Sequence, residues 1–196
     1  MQTVGIHVIW TTYMTWLPGD SRGHWSALMD LYGHIVRTGG RLNLPDAITV
    51  EHAKEVAEGT AVVLCAEEQT AVADRIGRML ADDSIIRGSR VFAVAVEPTH
   101  MHLLFSSLQY NIDNVVGRIK SQTSSMLLEM RGNPEVRRIW TNGYWRVFLF
   151  DAEGVAAVQD YVEEHNERRG MARSPHAWLR PYPVPPRLAK RIHRPT

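Results

Sequence analysis

Cysteine is almost absent. The single thiol, Cys65, sits in the apolar run AVVLCA. No disulfide framework can form within the chain, which suits a reducing compartment, and Cys65 reads as a small buried hydrophobe. Long apolar runs are missing too. None approaches the roughly 18 residues that a membrane span needs. The first residues carry no basic stretch leading into an apolar core, so we expect no secretory signal. These absences speak against a disulfide-stapled secreted domain and against helical membrane spans, and they favour a cytoplasmic protein. Net charge is scarce as well, with 22 Lys+Arg against 21 Asp+Glu. Acidic residues vanish only locally. Arg168 to Arg194 holds eight Lys or Arg and no acid. Such a segment suits a polyanion, or is simply a solvated tail.

What is present is an ordinary globular composition, 44% hydrophobic and 22% charged over 196 residues, enough to bury one core unaided. Residues 4–12, VGIHVIWTT, read as a first strand. Pro18-Gly19-Asp20 signals a turn, and GHIVRTGGRLNLP reads as irregular structure. A short helix around 49–57 has Thr49 as its candidate cap. Ala71, Val72, Ile76, Met79 and Leu80 recur at helical spacing over 67–81. VFAVAV and the strand after its Glu-Pro turn form a pair. A helix follows, capped by Asn111 or Asp113 and stopped by Gly132-Asn133-Pro134. Residues 144–150 read as a fourth strand, and 152–168 as a last helix ending before Gly170. The order predicts an α+β, split βαββαβ (ferredoxin-like) fold, a four-stranded antiparallel sheet with two helices on one face. The other face is left for a ligand or for the last helix. The expected organisation is a domain over 1–170, with an insertion at about 26–66, and a Pro/Arg-rich extended tail over 171–196.

One stretch stands out. In THMHLLFS, His100 and His102 sit two positions apart in a strand, so both imidazoles leave the same face. Two ring nitrogens at that spacing can converge on one metal ion, although the pattern also arises by chance among nine histidines. The last helix offers partners. Tyr161 and His165 lie four residues apart, on one helical face, beside the apolar stripe Val155, Val158 and Val162. Asn166 is rotated away from Tyr161.

These residues carry a family resemblance. The chain resembles the HUH single-tyrosine transposases, the small insertion-sequence transposases and REP-associated tyrosine transposases. THMHLLFS matches their histidine–hydrophobic–histidine motif. IWTNGYWRVFLFDAEGVAAVQDYVEEHNERRG matches their Trp, Gly-Tyr and tyrosine-helix order through Trp140, Gly143, Tyr144, Tyr161 and Gly170. NVVGRIKSQTSSMLLE resembles the helix bearing a DNA-facing lysine, here Lys120, and IHVIWTT resembles the first strand, including His7. The family usually places Asn or Gln one turn after the tyrosine, where this chain has His165. Trp145 and Arg146 replace a polar pair that often follows the Gly-Tyr element.

The resemblance implies an endonuclease and strand transferase acting on single-stranded DNA next to hairpins or palindromic repeats, as in DNA transposition and recombination. Tyr161 would be the nucleophile, with His100, His102 and His165 as metal ligands. The cofactor would be a divalent ion, Mg²⁺ or Mn²⁺. Three imidazoles suit Mn²⁺, Co²⁺ or Zn²⁺ better than the oxygen-seeking Mg²⁺. DNA contacts would come from Arg118, Lys120, Arg137 and Arg138 on the backbone. Trp10, Trp16, Trp25 and Trp145 are candidates for stacking on unpaired bases. Relatives occur as monomers and as dimers, so a homodimer stays open, as does a tyrosine supplied within the chain or across it. Three rivals remain on the residues alone: a domesticated, non-cleaving DNA-binding protein, a split βαβ RNA-binding domain, and a metal-dependent phosphoesterase without a covalent intermediate. The RNA reading would need exposed aromatics on the central strands, which carry histidines instead.

Overall fold

The computed structural model describes residues 2–17, 47–56, 59–106, 111–133 and 135–183. Their elements run β1 (Gly5–Thr11), α1 (Ala47–Val56), α2 (Ala66–Asp82), β2 (Val91–Val96), β3 (His100–Ser106), α3 (Ile112–Arg131), β4 (Trp145–Leu149) and α4 (Ala152–Arg168). The strands pair antiparallel in the order β2-β3-β1-β4. This is the predicted α+β split βαβ arrangement, with α1 added between β1 and α2. The expected helix over 49–57 starts earlier, at Ala47, so Thr49 lies in its first turn instead of capping it. The Pro18-Gly19-Asp20 turn, the GHIVRTGGRLNLP segment, Trp25, Pro134 and the tail beyond Pro183 fall outside the described residues. No described helix is long and apolar enough to cross a membrane.

Register decides what each face of the sheet carries. His7 lies opposite Leu104, Ile9 opposite His102, and Thr11 opposite His100. Directly opposed residues share a face, so His7, His100 and His102 emerge together. Ile6, Val8 and Trp10 point the other way, with Met101, Leu103 and Phe105. They meet Val72, Ile76 and Met79 of α2 and Val115, Val116, Ile119 and Leu127 of α3 in the main core. Each such side chain, once buried, contributes about 1.5–3 kcal/mol.

The histidine face is covered on its β2 side by α4. Val155 and Val162 pack on Phe92, Ala93, Ala95, Leu104 and Leu149. A register shift between Val91 and Ala93 turns both Phe92 and Ala93 toward α4, while Val91, Val94 and Val96 join the main core. Both faces of β2 are therefore covered, which explains its continuous apolar sequence. Helix ends follow local chemistry. The Asn111 side chain accepts from the Asp113 amide at 2.8 Å, and Asp151 accepts from the Gly154 amide at 2.7 Å. Gly170 takes φ +72° just past α4, and its amide donates to the Glu167 carbonyl at 2.8 Å. Cys65 corrects an expectation. It is exposed, at the N-cap of α2, where its amide donates to the Glu68 carboxylate at 2.9 Å. Burial alternates along this stretch, with Val62 and Leu64 buried and Val63 exposed, so the thiol falls on the outward side.

Residues 171–183 form no helix or strand, and they are docked on the rest of the fold. Leu179 is buried in the main core and Trp178 packs beside it. The Arg180 amide donates to the Val91 carbonyl at 2.9 Å. The Tyr182 ring meets Phe92 edge-on at 5.3 Å. Arg173 is held by Glu163 at 3.0 Å, by Glu167 at 2.8 Å and by Asp160. Its charge is thereby neutralised within the fold.

Candidate active site

The strand pair β1 and β3 and one face of α4 build a single cluster. His100 and His102 come from β3. His165 comes from α4, one turn after Tyr161. One nitrogen from each of these three imidazoles lies within 4.8 Å of the other two. The Tyr161 ring stands edge-on to His165 at 4.9 Å and to His102 at 5.5 Å. It is 45% exposed, so the phenol sits at the rim, where a polymer can reach it.

Two imidazoles are gripped from behind. His102 Nδ1 lies 3.1 Å from His7 Nε2, and His165 Nδ1 lies 3.0 Å from Glu97 Oε1. The opposite nitrogens, Nε2 of His102 and Nε2 of His165, are buried and have no hydrogen-bond partner. A buried polar nitrogen without a partner costs about 1–3 kcal/mol, and a ligand that accepts its lone pair removes that cost. The donor set and these two orphaned atoms therefore fit a divalent metal ion. Burial, and then the neighbouring His165, pushes the His7 pKa down to about 4. His102 is lowered much further, by burial and then by His7, His100 and His165. Both rings stay neutral at physiological pH, the form in which imidazole binds metal.

Asn166 is elsewhere. It is buried, and its amide donates to the Val94 carbonyl at 3.0 Å and to the Arg173 carbonyl at 2.9 Å. His165, and not Asn166, thus lies in the histidine cluster. His7 and Glu97 were not among the predicted site residues. Their signal was present in the alternation of VGIHVIWTT and in the Glu-Pro turn, but each partner is far away in sequence.

The predicted DNA-contact residues divide between the two faces. Trp145 lies opposite Ile9 on the histidine face, half-buried on edge strand β4. Arg137 and Arg138 are exposed and line a groove of about 440 Å³ with Tyr13, Thr60 and Glu135. The Arg138 guanidinium lies 5.3 Å from the Tyr13 ring centre. Lys120 and Arg118 belong to α3, so the sheet separates them from the histidines. The Lys120 amine donates to the carbonyls of Thr141 at 2.5 Å and Gly143 at 2.7 Å, and burial lowers its pKa to about 8. Arg118 pairs with Asp83 at 2.7 Å. Trp10 is a correction. It is 2% exposed and faces the main core against Trp140, so it cannot stack on a base. Tyr144, of the Gly-Tyr element, donates to Asp113 at 2.6 Å, and Arg146 joins the same carboxylate at 2.9 Å. They tie β4 to the start of α3.

Comparison with known proteins follows the same lines. A search of curated proteins returns no match. Among solved structures, a protein described as a transposase from Deinococcus radiodurans R1 aligns at 16% identity and TM-score 0.44, over 84% of this chain and 92% of that one. A REP-associated tyrosine transposase bound to a REP hairpin aligns at 13% identity and TM-score 0.40, over 87% of this chain and 70% of that one. Both are distant likenesses. The model of IS200-like transposases matches residues 64–165, just over half of the chain, from Leu64 just ahead of α2 to His165. The chain belongs to the IS200-like transposase family.

Proposed function

We propose that the protein is a metal-dependent endonuclease and strand transferase that cleaves and rejoins single-stranded DNA beside hairpins, with Tyr161 as the nucleophile. The observation that carries this reading is the pairing of a rim-exposed phenol with three histidines in the same chain, two of which have unpartnered buried nitrogens. His100, His102 and His165 would hold the ion. When bound, a divalent ion offsets the charge of the scissile phosphate and favours the phenolate. The Tyr161 oxygen attacks phosphorus, a P–O bond to tyrosine forms, and the bond to the 3′-oxygen breaks. The phenolic proton leaves, and the 3′-oxygen departs as a hydroxyl. The phosphotyrosine keeps a diester's reactivity, so a second 3′-hydroxyl reverses the step without ATP.

Tyr161 beside the histidines of its own chain supports action within one subunit. It leaves a homodimer as a question of DNA architecture and not of chemistry. Three imidazoles favour Mn²⁺ over Mg²⁺. Arg137 and Arg138 are the backbone contacts we favour, with Trp145 stacking on an unpaired base next to the site. Arg118 and Lys120 would meet DNA only on the far side of the sheet. The activity belongs in the bacterial cytoplasm, with the host DNA.

The test is incubation with single-stranded hairpin DNA and Mn²⁺, followed by a denaturing gel. The expected result is a covalent protein–DNA adduct that disappears in Tyr161→Phe. Cleavage that survives in Tyr161→Phe would point to a hydrolytic phosphoesterase. Binding with no cleavage, across metals and DNA sequences, would point to a domesticated DNA-binding protein.

A further inference from the structure

We infer that Glu97 is the positioning residue of this centre: it locks His165 in the tautomer that turns Nε2 toward the other two histidines. The inference rests on the metal-centre reading above and adds a residue to it. A carboxylate can only accept, so its 3.0 Å contact makes His165 Nδ1 the donor. The ring's other nitrogen, Nε2, then carries the lone pair, and it is the atom left buried and unpartnered.

Glu97 is itself held firmly. It occupies the turn between β2 and β3, where its amide donates to the His100 carbonyl at 2.8 Å. The next residue's carbonyl, at Pro98, accepts from the Leu64 amide at 2.8 Å. The carbonyl of Thr99 accepts from the Thr12 amide at 2.8 Å and from the Thr15 hydroxyl at 3.0 Å. Two separate segments, Thr12–Thr15 and Leu64, thus brace the turn from outside, and both side chains of the pair are largely buried, at 11% and 14% exposure. The pairing of a carboxylate in the turn with an imidazole on α4 accounts for two residues at once. An amide ligand in place of His165 has no ring tautomer for Glu97 to set.

Co²⁺ binding tests this without DNA or turnover, by visible absorption and calorimetry. Wild type is expected to bind with a ligand-field spectrum. Glu97→Ala is expected to weaken binding about 10–100-fold. Glu97→Gln, whose carbonyl still accepts from Nδ1–H, is expected to fall between the two. In a His165→Ala background, the further change Glu97→Ala should leave the remaining affinity unaltered. A Glu97→Ala protein that binds Co²⁺ like wild type overturns the inference, and so does an equal loss in both backgrounds. Should the alanine variant fail to fold, Glu97→Gln carries the test, and unchanged affinity in it overturns the inference. Wild type that binds no Co²⁺ would instead sink the metal-centre reading itself.

Discussion

At the scale of the residue, His165 and Asn166 are neighbours with opposite duties. Asn166→Ala leaves the Val94 and Arg173 carbonyls without their donor. It should cost about 1–3 kcal/mol in urea unfolding, yet leave Co²⁺ binding in place. His165→Ala should lose most of the Co²⁺ affinity. Equal effects on metal binding would contradict the assignment. The sequence made this contrast readable because helical spacing alone puts Tyr161 and His165 on one face. Period-two alternation likewise put His100 and His102 together. It could equally have excluded Trp10, which alternates out of phase with His7. What it could not supply was the pairing across distance. His7 meets His102 over a separation of 95 residues and Glu97 meets His165 over 68. Those contacts depend on strand register and helix docking, which no local pattern encodes.

At the scale of the element, the segment after α4 behaves as part of the domain. Its chain leaves α4 at Arg173, reaches α2 at Trp178 and returns to α4, where the Tyr182 amide donates to Gln159 at 2.6 Å. Leu179→Ala should cost about 2–5 kcal/mol, measured by chemical unfolding, whereas a free tail would give no change. Gly77 is where the indole rests. A Cβ there would stand 2.5 Å from Trp178 Cδ1, so Gly77→Ala should lift the indole and red-shift its emission, at a cost of about 1–3 kcal/mol. Proline and charge read here as an extended tail, with Arg173 in a segment suited to a polyanion or to solvent. The sequence hid the docking because Trp178-Leu179 is too short an apolar stretch to display any period.

At the scale of the whole molecule, the two helices under the main core are clamped by an ion pair near each end, Arg118 with Asp83 at one and Arg131 with Glu68 at the other. Arg131, at the end of α3, meets Glu68, in the first turn of α2, at 2.6 and 2.9 Å. Burial alone would raise the Glu68 pKa. The hydrogen bonds and charge of Arg131, with the Cys65 amide, outweigh it, and the net shift is downward from 4.5. A depressed carboxylate contributes stability that is present above its unfolded value and lost as pH falls through its folded one. The Tm gap between wild type and Glu68→Gln should therefore be full near neutrality and close below about pH 4.5. A gap that persists in acid would mean that the glutamine harms packing and not charge. The same molecular view shows how β2, an outer strand, is finished. Its Val91 carbonyl is taken by the Arg180 amide, that of Val94 by Asn166, and that of Val96 by Arg169. One border of the sheet is thus sealed by α4 and the segment after it. Among the described residues, the strand at the opposite border, β4, is the place where a further strand could dock, and Trp145 stands on it. Any lengthening of this sheet by a neighbour would begin beside the histidines.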